Sequence, residues 1–152
     1  MLDSLMQWVS DWGIIVPLIC VILMRDKRLV LRAAVALVIA FFLADVLKVV
    51  VARPRPGGSA NGWFFSTPAD VWGFPSKHAS TSFALAVSVL LHRKVLGCVA
   101  AVFSVLVAVS RVYLNAHYWS DVIGGAVLGI VIAYATDRLA VYFEQSGQSG
   151  KR

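Results

Sequence analysis

The sequence predicts an all-α fold: a polytopic transmembrane helical bundle of about five spans, with a polar site gathered at its outer membrane face. Three observations carry that expectation. Apolar residues make up 59% of the 152-residue chain and charged residues only 14%, and the mean hydropathy is +0.78; soluble domains hold about 45–50% apolar and about 25% charged residues. Five apolar segments occupy 5–24, 29–52, 78–91, 95–113 and 119–143. Basic residues cluster in alternate connections between them.

A span needs about 20 residues, fewer where protein surrounds it. The second, fourth and fifth segments meet this. The third is short and is expected to begin within protein at the outer surface. The first is interrupted by Gln7, Ser10 and Asp11, while Leu2, Leu5, Met6 and Val9 fall at helical spacing. Residues 2–11 therefore read as either part of a span or an interfacial helix leading into a shorter one. Its acidic start and lack of a small-residue cleavage site do not resemble a cleaved signal peptide. One domain is expected over 1–144, followed by a disordered cytoplasmic tail over 145–152.

Orientation follows from charge. Arg25, Lys27, Arg28 and Arg32 lie near the first connection, Arg93 and Lys94 in the third, and Arg138, Lys151 and Arg152 toward the end. The positive-inside rule places all three regions in the cytoplasm. The loop 53–77 and the turn 111–121 then face outward, in an integral cell (inner) membrane protein whose site faces the periplasm or exterior. The net charge of +6 does not point to nucleic acid, because the basic residues form no stripe. Five of them, Lys48, Arg53, Arg55, Lys77 and Arg111, gather on the outer side, where positive charge is normally scarce. They call for an anionic partner.

Three outer segments hold the polar residues that hydrophobicity does not explain: Lys48 through Arg55-Pro56, Pro75-Ser76-Lys77-His78, and Ser110-Arg111 through His117 to Asp121. Phosphate-ester cleavage needs cations on the phosphate oxygens, and Lys48, Arg55 and Arg111 supply them. Ser76 and the amide groups opening the third segment make an anion seat. A neutral imidazole can attack phosphorus and a second histidine can protonate the leaving oxygen, and His117 and His78 are both on the outer side. Asp121 lies one helical turn after His117, placed to orient its ring.

These segments resemble the signature of the type 2 phosphatidic acid phosphatase family: KxxxxxxRP, PSGH and SRxxxxxHxxxD. The first and third match in full; in the second, Lys77 stands where glycine is usual. The resemblance spans about half the chain and implies a helical bundle with the site at one membrane face, often with six spans. It implies that His117 attacks phosphorus to form a phosphohistidine, with Asp121 orienting it and His78 as general acid and later base. Lys48, Arg55, Ser76, Arg111 and the backbone N–H of Lys77 would hold the phosphate. No metal and no cofactor is implied. The substrate would be a lipid phosphate or diphosphate, favoured as undecaprenyl diphosphate because an outward-facing site meets that carrier after cell-wall polymerisation. Phosphatidate and phosphatidylglycerol phosphate are the alternatives.

Other residues carry weaker signals. The Lys77 ammonium is expected either to reach a second phosphate or to be solvated near lipid head groups. Arg53 reads as a head-group contact more than a substrate contact. Asp45 reads as an ion-pair partner for Lys48 or another basic group. Trp63, Phe64, Phe65, Trp72 and Phe74 read as interfacial anchors, Gly125 and Gly129 as a helix-packing pair, and Cys20 and Cys98 as small buried hydrophobes. His92 is assigned no chemistry, and the oligomeric state is left open. Two other classes were weighed. A non-catalytic binder of anionic head groups would not need paired histidines with Asp121, and a vanadate-dependent peroxidase would be soluble.

Overall fold

The computed structural model describes residues 1–57 and 68–149; Trp63, Phe64, Phe65, Lys151 and Arg152 lie outside the described residues. Six α-helices run in the order α1 (Leu2–Trp12), α2 (Ile15–Leu23), α3 (Lys27–Val51), α4 (Lys77–Leu90), α5 (Lys94–Tyr113) and α6 (Trp119–Ser149), with a short 3-10 turn at Pro68–Val71 before α4.

Helix α3 begins where the Asp26 carboxylate accepts the N–H groups of Arg28 and Leu29, satisfying two otherwise unpaired helix donors. Along one face, Ala33, Ala36, Ala40 and Ala44 are all fully buried, and the next turn on that face brings Lys48, 1% exposed. The opposite face is apolar and exposed, with Leu31, Val38, Phe42 and Val49, as expected of a surface toward lipid. The helix ends at Ala52, whose φ of 47° is left-handed, and the following Arg53-Pro54 step cannot re-enter a helix.

Helix α4 is the centre of the bundle and packs on α2, α3, α5 and α6. Its buried residues are mostly small: Ala79, Ser80, Thr81, Ser82, Ala84, Ala86 and Ser88. In an apolar bundle, small residues let backbones approach closely, and the gain is van der Waals contact. The hydroxyls are satisfied locally: Thr81 donates to the Lys77 carbonyl at 2.9 Å, Ser82 to that of His78 at 2.7 Å and Ser88 to that of Ala84 at 2.8 Å. Ser80 reaches the Ala40 carbonyl of α3 and Ser104 of α5 reaches the Ser82 carbonyl. On α6 a Cβ at Gly125 would strike the carbonyl oxygen of Ser76, and one at Gly129 that of Ser80. The glycine pair thus packs α6 against the α4 backbone, as expected.

Two polar layers close the bundle. At one end Arg32 donates to Asp137 at 2.9 Å and Glu144 at 2.8 Å, and His92 Nε2 lies 2.9 Å from Asp137. This gathers the start of α3, the α4–α5 turn and the second half of α6. At the other end the finish of α3, the start of α4, the finish of α5 and the start of α6 converge, so α3, α4, α5 and α6 alternate in direction. Arg32 to Lys48 and Asp121 to Asp137 are each sixteen residues, so the layers stand about 24 Å apart.

Among the described residues, α3, α5 and α6 are long and apolar enough to cross a membrane, and the α1–α2 pair, bent by 43°, makes four if it counts as one span. Helix α4, inside the bundle, has 14 residues and reaches about 21 Å. The bend falls at Gly13, where a Cβ would meet the Val9 carbonyl and Val107 of α5. Helix α1 lies against α5, with Tyr113 donating to Asp3 at 2.9 Å, and α2 descends into the core beside Ala33, Leu85 and Val89. Helix α6 runs on to Ser149. One expectation is corrected. Cys20 is buried but Cys98 is exposed, since it falls on the α5 face turned away from α4.

Replacing Gly129 with leucine should drive a side chain into the α4 backbone. The expected cost is about 2 kcal/mol or more of stability in detergent, while Val131→Leu on the exposed face should change it by less than about 0.5 kcal/mol. Thermal or denaturant unfolding of the purified protein measures both.

Candidate active site

The convergence of four helix ends brings the three motifs into one layer. After α5 the chain must reverse within a few residues, and Asn115 takes the left-handed conformation, φ 54°, that asparagine tolerates better than most residues. The N–H groups of Ala116 and His117 both return to the Arg111 carbonyl, at 3.0 and 3.2 Å, so the histidine is folded back over the end of its own helix. Asp121 follows in the first turn of α6, and its Oδ2 accepts the Tyr118 N–H at 2.9 Å.

His117 is 2% exposed. Its Nε2 faces Arg55 Nη1 at 3.2 Å, and its Nδ1 faces Asp121 Oδ2 at 3.5 Å. A guanidinium can only donate, so Nε2 accepts, and the proton of the neutral ring sits on Nδ1 toward the carboxylate. Burial pushes the His117 pKa down to about 4 against the upward pull of Asp121, and the positive charges of Arg55, Arg111 and Lys48 push the same way. At neutral pH the ring is therefore uncharged, with its Nε2 lone pair directed into the cationic cluster.

The cations are held by groups of the protein itself. Lys48 Nζ donates to Asp70 Oδ1 at 2.5 Å. Arg55 donates through Nε to the Asp70 carbonyl at 2.9 Å and through Nη1 to the Ala116 carbonyl at 3.1 Å; burial lowers its pKa. Arg111 Nη1 donates to Ser10 Oγ at 2.5 Å, and its Nε is buried without a hydrogen bond among the described residues. Ser76 gives its N–H to the Asp121 carbonyl but makes no side-chain cap, and its buried Oγ has no partner among the described residues. This hydroxyl, at the N-terminus of α4, is placed to donate to an anion. His78, in the first turn of α4, is half-buried and within electrostatic reach of Arg111, His117 and Lys48. Among the described residues, no group of three or more histidine, cysteine, aspartate or glutamate side chains is placed to hold a metal ion.

Lys48, Arg55, Ser76, His78, Arg111, His117 and Asp121 are thus brought together as the motifs predict. Lys77 is not solvated; it is 7% exposed. It reaches Asp45 Oδ1 of α3 at 2.8 Å and Asp70 Oδ2 at 3.0 Å, over the Phe41 ring at 4.4 Å, because two carboxylates and a ring face outweigh hydration at a buried position. Asp45 accordingly pairs with Lys77 and not Lys48. Arg53, 37% exposed, donates to Asp121 Oδ1 at 2.9 Å and to Ser120 Oγ and covers the Tyr118 ring. The residue that orients His117 is therefore itself oriented. Phe74 packs on Gly124, where a Cβ would meet its ring.

Two residues were missed. Asp70 lies in the 3-10 turn, outside every motif, and meets both lysines. Ser10 looked like an interruption of an apolar run, yet it is 1% exposed and holds Arg111. A polar residue on the otherwise apolar face of α1 was the available signal for Ser10; none pointed to Asp70.

The model of the PAP2 superfamily matches residues 29–144. The chain is 32% identical over 153 residues to the undecaprenyl-diphosphatase of Sulfolobus acidocaldarius, covering 96% of this chain and 72% of the relative. It is 34% identical over 127 residues to the decaprenylphosphoryl-5-phosphoribose phosphatase of Mycobacterium tuberculosis, covering 83% and 70%. The crystal structure of Aquifex aeolicus LpxE shares the fold, with a TM-score of 0.71 at 23% identity over 90% of this chain and 86% of that one. The chain spans 65% to 72% of the length of its relatives from Escherichia coli, Sulfolobus acidocaldarius and Bacillus subtilis. It belongs to the PAP2 superfamily, the family its motifs resemble. It is an integral-membrane lipid phosphatase.

Two outcomes are expected. In 15N NMR of histidine-labelled protein, the His117 ring should stay neutral with its proton on Nδ1 from pH 8 down to 5 and titrate near 4. Arg55→Met should raise that pKa, since a nearby positive charge disfavours imidazolium. Ser10→Ala should lower kcat/KM about tenfold through loss of a charged hydrogen bond, with partial recovery in Ser10→Thr.

Proposed function

We propose that this phosphatase hydrolyses a polyprenyl phosphate or diphosphate, with undecaprenyl diphosphate as the favoured substrate, through a phosphohistidine on His117. The observation that carries the reading is the neutral His117 Nε2 inside a layer of cations, with Asp121 behind Nδ1. The nucleophile is ready at neutral pH, and the charge it gains on attack has a carboxylate waiting.

In the first step the Nε2 lone pair forms a bond to phosphorus as the bond to the leaving oxygen breaks. His78, whose charged form is favoured once the anionic phosphate enters beside it, passes its proton to that oxygen, so the lipid departs as its alcohol, or as its monophosphate from a diphosphate. Lys48, Arg55, Arg111, Ser76 and the N–H of Lys77 bear on the three equatorial oxygens, where charge concentrates. In the second step water attacks the phosphohistidine, neutral His78 takes its proton, and the P–N bond breaks to return His117 and inorganic phosphate. Asp121 keeps the Nδ1 proton throughout and balances the transient imidazolium. The Arg53 contact fixes Asp121 and takes no part in the steps.

The relatives from Sulfolobus acidocaldarius and Mycobacterium tuberculosis, whose names specify undecaprenyl diphosphate and a decaprenyl-linked phosphate, support a polyprenyl chain. The basic residues Arg25, Lys27, Arg28, Arg93 and Lys94 fall at the end opposite the site, which supports a cell membrane location with the site facing outward.

The test is phosphate release by purified protein from undecaprenyl diphosphate, polyprenyl monophosphate, phosphatidate and phosphatidylglycerol phosphate, with a chelator present. We expect the diphosphate to give the highest kcat/KM, activity to persist in the chelator, and His117→Ala to lower kcat by about 10⁴-fold or more. Brief reaction with 32P-labelled substrate should leave an acid-labile, alkali-stable label on the protein. Undiminished turnover by His117→Ala would sink the mechanism, and a clear preference for phosphatidate would replace the substrate.

A further inference from the structure

Asp70 belongs to none of the three motifs, yet it meets Lys48, Arg55 and Lys77. Its Oδ1 accepts from Lys48 Nζ at 2.5 Å and stands 4.0 Å from Arg55 Nη2. Its backbone carbonyl accepts Arg55 Nε at 2.9 Å. Its Oδ2 accepts from Lys77 Nζ at 3.0 Å, and that ammonium is held in turn by Asp45 at 2.8 Å. The side chains of Lys48 and Arg55 are 1% and 4% exposed, and that of Asp70 is 17% exposed. A negatively charged oxygen therefore sits on two of the cations that a phosphate would need.

We propose that Asp70 is a built-in competitor for the substrate's phosphate group, a positioning residue that holds Lys48 and Arg55 in the empty site, yields Lys48 when phosphate enters, and returns to expel the product. The inference rests on the phosphatase reading above and adds a residue to it.

The physical case has three parts. Buried cations without a counter-charge are costly, so an empty site lined by Lys48 and Arg55 needs an anion of its own. A carboxylate oxygen and a phosphate oxygen compete for the same N–H donors with the same geometry, so the two bind Lys48 alternately or share it at reduced strength. The carboxylate also has a second attachment: Oδ2 already rests on Lys77, so Asp70 can release Lys48 without being left unpaired. This gives the lysine at the usual glycine position a function distinct from holding a second phosphate. Lys77 anchors the carboxylate that yields, and Asp45 and Phe41 hold Lys77 in place. A site that bound phosphate through unopposed cations would retain its product; one with an internal anion within hydrogen-bond reach releases it.

The experiment measures binding and inhibition by orthovanadate and inorganic phosphate, by calorimetry on purified protein and by inhibition of lipid phosphate hydrolysis. In Asp70→Asn, which keeps the side-chain shape and removes the charge, both anions should bind at least about tenfold more tightly, KM should fall, and kcat should fall as product release slows. A merely structural role predicts the opposite sign, weaker anion binding from a loosened Lys48. In Lys77→Met, Asp70 loses its second attachment and should lean harder on Lys48, so vanadate should bind several-fold more weakly. This variant keeps the question open to test if Asp70→Asn does not fold. Unchanged or weakened anion binding in a folded Asp70→Asn protein would overturn the inference, as would tightened or unchanged binding in Lys77→Met. Wild-type protein that neither hydrolyses lipid phosphates nor binds vanadate would instead overturn the functional reading itself.

Discussion

The approach of α6 to α4 is the contact on which the rest of the molecule depends. Residues 125 and 129 carry no side chain, so the α6 backbone reaches the carbonyls of Ser76 and Ser80 directly. That closeness is what allows Ser76 to bond the Asp121 carbonyl and joins the start of α4 to the start of α6. His117, just before α6, and His78, just after the start of α4, then share one small volume. Lipid offers little driving force to bring helices together, because side chains are as content among acyl chains as among one another. Close contact between small residues, and hydroxyls bonded to carbonyls, supply what the hydrophobic effect supplies in a soluble core.

Much of this was legible in the sequence. Motif spacing located Lys48, Arg55, Ser76, Arg111, His117 and Asp121, because each motif sits at a helix end and local geometry carries its residues to the same layer. Apolar runs located the helices α3, α5 and α6 to within a few residues. What escaped were pairings between segments distant in the chain. Lys77 to Asp45, Arg53 to Asp121, Arg111 to Ser10 and Lys48 to Asp70 each join a residue on one element to a residue on another. Such pairs depend on which side chains a tertiary arrangement brings face to face, and neither period nor propensity encodes that. Lys77 was misplaced for the same reason: a basic residue near a membrane surface suggests solvent or head groups, but a partner already inside the bundle competes successfully.

The two polar layers differ in kind. At the end away from the site Arg32, His92, Asp137 and Glu144 satisfy one another and tie α3, α6 and the α4–α5 turn together. At the site end the polar groups are only partly matched, with Ser76 Oγ and Arg111 Nε lacking hydrogen bonds among the described residues. A closed network at one end and an incomplete one at the other is the arrangement expected when the first serves the fold and the second awaits an anion.

The buried stripe on α3 has a further consequence. Ala33, Ala36, Ala40, Ala44 and Lys48 occupy one face in phase, so the face that seats the helix in the bundle also aims the lysine. The helix cannot turn about its axis to accommodate a larger residue at 40 or 44 without swinging Lys48 out of the site layer. Fit and chemistry share a single rotational setting on α3, and variants that survive repacking there are confined to those that preserve the helix phase.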